Sequence, residues 1–133
     1  MAGYSGTPLV RKLGIKDEFR VLLRNAPDDF AQTLGPLPPG VRQLGRAGRF
    51  DLALLFSKSR RRLAAEFPML AAHMETAGML WVGWPKKAAK IETDLSFDAV
   101  QKIGLDAGLV DVKICAIDET WSGLKFVRRL RDR

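Results

Sequence analysis

The stretch MLWVGWPKKAAK (residues 79–90) decides the fold, because it changes from a continuous apolar run to a charged loop at a single proline. A short apolar run without polar residues at alternate positions is typical of a strand that is buried on both faces, as in a parallel sheet. Pro85 cannot donate a backbone hydrogen bond, so it marks the end of that strand. The lysines that follow are then expected in the loop at the carboxyl end of the strand.

Other stretches predict the remaining strands. FRVLLRN (residues 19–25) and FDLALLF (residues 50–56) are apolar through their centres and indicate buried strands, whereas VRQLG (residues 41–45) is short and weakly specified. VKICAI (residues 112–117) and LKFVRRL (residues 124–130) are separated by the turn-like DETWSG. The last two are therefore predicted to form an antiparallel hairpin.

Helix signals lie between these strands. Thr7 as a cap and Pro8 at the first helical position predict a short helix that ends at Gly14. PDDFAQTLG (residues 27–35) predicts a second short helix that starts at its proline.

Two longer helices are predicted after capping serines. Ser59 precedes a helical pattern that contains Pro68, which predicts a break near Phe67, and Gly78 is expected to end the pattern. Ser96 precedes FDAVQKIGLDAG, whose apolar residues share one helical face.

Strands that alternate with helices predict an α/β fold of three layers, with a mostly parallel sheet of about five or six strands and a C-terminal antiparallel hairpin. We predict one domain over residues 1–133, with an N-terminal arm and short helix at residues 1–16 and a basic C-terminal strand and tail at residues 125–133. This order of elements resembles a reduced, Rossmann-like class I methyltransferase topology.

Composition narrows the possible partners. The net charge of +7 and a pI near 10 favour anionic partners, either nucleic acid or an acidic protein. Cys115 and His73 are the only residues of their kinds, which argues against disulfides, Cys/His metal sites and histidine-based catalysis. With no secretory signal and no long apolar segment, the sequence predicts a cytoplasmic protein that binds neither membrane nor metal.

The residues depart from the methyltransferase pattern at three places. The turn after the first strand, RNAPDD (residues 24–29), has no glycine to let a ligand approach the backbone. VRQLGRAGR (residues 41–49) offers no acid for ribose hydroxyls, and SKSR (residues 57–60) is not an Asn/Asp-Pro-Pro-aromatic motif. The segment between the first and central strands (residues 26–49) is also one strand-helix unit short. The sequence therefore predicts no cofactor and argues against S-adenosylmethionine.

Three motifs carry a likeness to a known family. GYSGTPLVRKLGIK (residues 3–16), LWVGWPKK (residues 80–87) and DETWSGLKFVRR (residues 118–129) together resemble a bacterial family labelled a domain of unknown function. The likeness covers nearly the whole chain. It implies a small methyltransferase-like α/β protein and carries over no activity or cofactor.

The carboxyl ends of the strands are the expected ligand edge of an open α/β sheet. Cations, an aromatic residue and the helix start at Ser59 suit an anion or a nucleotide there. The candidate ligand residues are Arg24, Asn25, Lys58, Ser59, Trp84, Lys86, Lys87, Asp118 and Trp121. The lysines could equally be solvated loop residues, and Trp121 could be a lid or could pack against GYSG.

The main functional prediction is a non-catalytic, degenerate methyltransferase-like domain that binds nucleic acid or a nucleotide-like ligand at the strand carboxyl edge. No residue is predicted to be catalytic. One alternative is a divergent methyltransferase that uses S-adenosylmethionine. Another is a protein-interaction module in which KFVRRLRDR (residues 125–133) contacts an acidic partner.

Overall fold

The structure is a computed structural model that describes residues 7–46 and 48–133. In these residues the strands are Arg20–Arg24 (β1), Arg42–Leu44 (β2), Phe50–Phe56 (β3), Met74–Pro85 (β4), Leu109–Ala116 (β5) and Trp121–Arg128 (β6). The α-helices are Leu9–Leu13 (α1), Phe30–Leu34 (α2), Arg60–Ala71 (α3) and Phe97–Asp106 (α4). Short 3₁₀ turns follow β4 and β6, at Lys87–Ala89 and Leu130–Asp132.

The strands lie in the order β2-β1-β3-β4-β6-β5. β1 pairs in parallel with β2 and β3, and β3 pairs in parallel with β4, whereas β6 is antiparallel to both of its neighbours. The predicted α/β fold with a mostly parallel sheet and a C-terminal antiparallel hairpin is confirmed. Because β6 lies between β4 and β5, the carboxyl end of β5 reaches the same edge as those of β1, β3 and β4.

Helices cover both faces of the sheet. On one face α3 and α4 bury Phe67 and Val100 against strand residues such as Phe126. On the other face α1 and α2 bury Leu13 and Phe30 against β3 and β4. The central strands are therefore covered on both sides, which explains their continuous apolar sequences.

The predicted break at Pro68 is wrong: α3 continues from Arg60 to Ala71. A proline in a helix interior removes a hydrogen bond and costs about 3 kcal/mol. Phe67 and Leu70 on either side of it are both buried, and the Phe67 ring packs edge-to-face on Phe126 with centroids 5.1 Å apart. Tertiary packing therefore holds the helix through the proline.

The prediction that Gly78 ends a helix is also wrong, because β4 already begins at Met74. The glycine lies inside the strand, where the β3–β4 register shifts between Phe50 and Leu52. A Cβ at position 78 would come 2.8 Å from Met74 Cγ and 3.0 Å from Glu75 O. Glycine is needed here because the backbone of this irregular stretch folds closely on itself.

The two short helices begin later than predicted. α1 starts at Leu9 with Pro8 before it as the capping position, and no side chain caps it. α2 starts at Phe30, since Pro27 O accepts the Phe30 N–H in a turn that precedes the helix. The capping role of Thr7 and the helix start at Pro27 are therefore wrong.

No helix in the described part of the chain is long and apolar enough to cross a membrane. The capping roles of Ser59 and Ser96 are confirmed: their hydroxyls accept the backbone N–H groups of Arg62 and Ala99. These two caps fix the first turns of α3 and α4, which pack on the same face of the sheet.

Candidate functional site

A cavity of about 200 Å³ lies at the carboxyl ends of β1 and β3. It is lined by Asn25, Phe56, Ser57, Lys58, Ser59, Arg62 and Trp121. After β1 the chain moves outward to β2, and then returns to β3 on the other side of β1. This reversal of direction is the topological switch point at which open α/β sheets bind their ligands.

Asn25 joins the two strand ends at the cavity. Its backbone is left-handed, with φ of 61°, and its Nδ2 donates to Phe56 O at 3.3 Å. The same Nδ2 lies 3.3 Å from both carboxylate oxygens of Glu66 on α3. An asparagine tolerates this backbone conformation better than most residues. It therefore occupies the turn where the methyltransferase pattern has glycine.

The two serines at the cavity are engaged in local hydrogen bonds. Ser57 is buried, and its hydroxyl donates to Ser59 O at 3.1 Å. The Ser59 hydroxyl accepts the Arg62 N–H at 3.1 Å, and Asp94 Oδ1 accepts the Arg60 N–H at 2.7 Å. Two of the free backbone N–H groups at the amino end of α3 therefore already have hydrogen-bond partners within the chain. The cations of the site are the side chains of Lys58 and Arg62.

Aromatic rings form another wall of this cavity. Trp121 packs edge-to-face on Phe56 with ring centroids 5.0 Å apart, and Phe56 packs in the same way on Phe30. Trp121 is the first residue of β6 rather than a turn residue, and it is 7% exposed. Packing against GYSG, one of its two predicted roles, concerns residues outside the described part of the chain.

Asp118 shapes the turn before Trp121 and does not line this cavity. Its Oδ1 accepts the backbone N–H groups of Thr120 and Trp121, both at 2.8 Å. The Ile117 N–H donates to Trp121 O at 2.9 Å. These bonds set the position at which the indole enters the site. Asp118 is therefore a turn residue, and its candidate role as a ligand residue gains no support from this geometry.

The remaining candidates lie elsewhere. Trp84 is buried in the apolar core on the α3 and α4 face, because its strand position points away from the cavity. Arg24 lines a separate cleft beside His73. The Lys86 N–H donates to Thr120 O, and Lys87 is exposed at the start of the 3₁₀ turn. These four residues do not line the cavity at the β1 and β3 ends, and their role as ligand residues stays a prediction.

Sequence reasoning missed Phe56 and Arg62. The apolar pattern of residues 50–56 predicts Phe56 only as the end of a buried strand, yet Phe56 also lines the cavity. Arg62 follows the capping Ser59 by three positions, so it lies on the first turn of α3 near its cap. This spacing from the capping serine is the sequence signal from which Arg62 could have been predicted as a site residue.

A second, mostly apolar cavity of about 400 Å³ lies between α1, α2 and the β5–β6 turn. Ile117 and Asp118 line it, and both are hydrogen-bonded to the Trp121 backbone. Trp121 thus connects the two cavities. Among residues 7–46 and 48–133, no group of three or more His, Cys, Asp or Glu side chains could hold a metal ion.

The sequence matches no protein-family model and no curated protein. Solved structures do match it. Magnesium protoporphyrin IX methyltransferase from Synechocystis PCC 6803 with bound S-adenosylmethionine superposes with a TM-score of 0.59 at 11% identity, over 91% of this chain and 74% of that one. Aeropyrum pernix fibrillarin with natively bound S-adenosylmethionine gives 0.58 at 12% identity, over 94% and 70%.

An S-adenosylmethionine-dependent methyltransferase from Aquifex aeolicus gives a TM-score of 0.59 at 14% identity, over 89% of this chain and 86% of that one. The chain has a methyltransferase fold. The likeness to a methyltransferase core predicted from the sequence is confirmed at this level. The bacterial family suggested by the three motifs stays a prediction.

The comparison contradicts the prediction of no cofactor, because solved structures that share the fold contain bound S-adenosylmethionine. The sequence argument relied on three missing motif residues, whereas the fold retains the cavity at the switch point.

The residues of this cavity fit one part of S-adenosylmethionine. Lys58 and Arg62 suit its carboxylate, and Trp121 presents an aromatic wall to its apolar parts. No carboxylate lines the described cavity for the ribose hydroxyls. At about 200 Å³ the cavity is below the roughly 300–1,000 Å³ usual for ligand pockets. The cavity as it stands therefore accommodates only part of S-adenosylmethionine.

Proposed function

We propose that this chain is a divergent methyltransferase that binds S-adenosylmethionine at the carboxyl edge of β1 and β3. The observation that carries the proposal is the cavity at the switch point between these strands, lined by polar, cationic and aromatic side chains. The methyltransferases that share the fold support the same assignment.

Each side of the cavity has a separate role in this proposal. Lys58 and Arg62 hold the ligand carboxylate, and no acidic side chain in the described lining competes for them. Trp121 and Phe56 exclude water from the opposite side. When bound, the cofactor supplies a transferable methyl group. Asn25 fixes the distance between the β1 and β3 ends through its bond to Phe56 O.

Isothermal titration calorimetry with S-adenosylmethionine and S-adenosylhomocysteine tests the binding. We expect saturable heats with the unaltered chain, and a rise in melting temperature at excess ligand. Replacing Lys58 and Arg62 together by methionine should weaken binding about tenfold or more, since hydrogen bonds to charged groups contribute roughly 1.5–3 kcal/mol.

The matched control replaces Lys90 and Lys102 by methionine, which removes the same charge at two positions that do not line the cavity. Binding should be unchanged in this variant. Absence of heat and of thermal stabilisation for the unaltered chain at millimolar ligand would overturn the proposal. So would equal weakening in the two double variants.

A second candidate function is favoured by one observation: the described lining contains Lys58 and Arg62 but no carboxylate. This charge balance suits a small anionic or nucleotide-like ligand bound without catalysis. Calorimetry with pyrophosphate and with AMP distinguishes the two. Binding of these probes at the same cavity without binding of S-adenosylmethionine supports the second candidate. Competition between them and S-adenosylmethionine supports the first.

A further inference from the structure

Four lysines gather around Cys115 on the α1 face of the sheet, away from the cavity at the β1 and β3 ends. We call Lys12, Lys16, Lys113 and Lys125 the lysine face. Lys113 on β5 and Lys125 on β6 are directly opposite each other in the strand register. Lys113 Nζ donates to Lys12 O at 3.0 Å, and Lys12 Nζ donates to Ala116 O at 3.4 Å. These bonds connect the end of α1 to the hairpin.

The ammonium groups are close enough to affect one another. Partial burial lowers the pKa of Lys125, and the charges of Lys113 and Lys16 lower that pKa further. Burial raises the pKa of the Cys115 thiol, while Lys12, Lys113 and Lys125 act in the opposite direction. Both sets of influences are consistent with one compact group of cations around the thiol.

Three lysines of this group, Lys16, Lys113 and Lys125, form no ion pair with a carboxylate of the described residues. The ion pairs formed there are Arg20–Asp51, Arg20–Glu75, Arg49–Glu75 and Lys102–Asp106. Lys16, Lys113 and Lys125 take part in none of them. Asp17, which follows Lys16 in the chain, forms none with it either. The counter-charge to these three lysines is therefore not provided by the parts of the chain that the structure describes.

This arrangement costs stability. Like charges placed directly opposite on neighbouring strands destabilise a sheet, and Lys113 and Lys125 are such a pair. The Trp81 ring gives Lys125 weak compensation, because its centroid lies 6.0 Å from the Lys125 Nζ, at the outer limit of a cation–π contact. Replacing either lysine by a neutral residue would remove the repulsion, so an anion bound from outside explains its presence better than folding does.

We propose that the lysine face binds the phosphate backbone of a nucleic acid. Two observations favour an extended polyanion over a small anion. Lys113 is exposed and Lys125 is half-buried, and neither lines the two cavities described above. The four cations also extend from α1 across two strands, which matches a ligand that carries regularly spaced charges. Lysine ammonium groups act as point charges on phosphates and read no base sequence.

This proposal does not depend on the function proposed for the cavity. The lysine face would bind nucleic acid whether or not S-adenosylmethionine binds at the strand ends. If both hold, the nucleic acid is a candidate acceptor for the methyl group. Cofactor titrations and nucleic-acid titrations therefore fail or succeed separately.

Fluorescence anisotropy with labelled single-stranded RNA and duplex DNA of about 20 residues tests the proposal across about 50–200 mM salt. We expect the variant with Lys113→Gln and Lys125→Gln to bind more weakly. The slope of log affinity against log salt should fall by about 0.7 per lost phosphate contact for the single strand and about 0.9 for the duplex. The variant with both lysines changed to arginine keeps both positive charges and should retain binding.

A charge-matched control has Lys90→Gln and Lys102→Gln, which removes the same net charge away from the lysine face. It should retain the unaltered salt slope. Equal loss in the two glutamine variants would show that only net charge matters and would overturn the proposal. Absence of nucleic-acid binding at low salt would also overturn it. Binding to polyglutamate but not to either nucleic acid would identify an acidic protein as the partner instead.

Discussion

Gly104 of α4 lies directly against the ring of Phe126 on β6, and a Cβ at position 104 would overlap three atoms of that ring. Phe126 is itself fully buried and packs edge-to-face on Phe67. The ring is therefore held between α4 and Phe67 in the core. This contact sets how closely α4 approaches the sheet.

Gly104→Ala should destabilise the fold by about 1–3 kcal/mol, the usual cost of adding a methyl group to a filled core. Alanine otherwise favours a helix, so any loss of stability measures the overlap with Phe126. Urea denaturation followed by circular dichroism gives the free energy of unfolding. Gly45→Ala is the control, because no atom lies near its added Cβ, and it should change stability by less than about 0.5 kcal/mol. Equal effects of the two changes would contradict the packing argument.

Acid stability should depend on Glu75 at the amino end of β4. Hydrogen bonds from Arg49 and then Arg20 lower its pKa from an ordinary 4.5 to about 2. Because the folded-state pKa is the lower one, this stabilisation is present above about pH 4.5 and is lost as the pH falls toward 2. Glu75→Gln should therefore lower stability at neutral pH. Stability of this variant should also fall less steeply than that of the unaltered chain as the pH drops from about 4.5 to 2.

Thermal melts of the Glu75→Gln variant across pH 2 to 7 measure this effect. Glu92→Gln is the matched control, since Glu92 is exposed and forms no ion pair among the described residues. The control should keep the slope of the unaltered chain. If both variants show the same dependence on pH, the ion-pair network does not contribute to acid stability.

Pro68→Ala should raise stability. The proline lies inside the continuous α3 and cannot donate to the preceding turn, while its side chain is exposed. Alanine restores the donor at no loss of buried surface, so we expect a gain of about 1–3 kcal/mol. Chemical denaturation provides the measurement, with Met69→Ala as an exposed neighbour that should change little. A destabilised Pro68→Ala variant would mean that the proline itself contributes to packing.

Substitutions at position 25 distinguish the effect of backbone strain from the loss of a side-chain hydrogen bond. Asn25→Ala and Asn25→Gly both remove the hydrogen bond to Phe56 O, but only alanine is strained at a φ of 61°. The alanine variant should therefore be less stable than the glycine variant by about 1 kcal/mol. Denaturation of both variants, side by side, checks the difference. If the order of stability is reversed, the left-handed backbone at this turn is not strained for alanine.

The strands were predictable because burial on both faces requires continuous apolar sequence, which residues 50–56 and 79–85 show directly. The capping serines were predictable because a cap acts over three residues of the same chain. Local chemistry also marked the proline that ends β4. Each of these features depends on neighbours in the sequence.

The candidate site was only partly predictable. The edge of the sheet followed from the rule for open α/β folds, and Asn25, Lys58, Ser59 and Trp121 do line one cavity there. Trp84 does not line this cavity, because its indole is buried on the opposite face of the sheet. The face toward which a strand residue points depends on the strand register. A shift of one residue in register reverses that orientation.

The sequence by itself determined the kind of sheet and the serine caps of α3 and α4, because these depend on burial patterns and short-range hydrogen bonds. Only the tertiary structure decided that α3 passes through Pro68, since the buried Phe67 and Leu70 outweigh the lost hydrogen bond. It also decided that Lys113 and Lys125 stand opposite each other. Contacts between residues distant in sequence arise from packing and strand register, which no local pattern encodes.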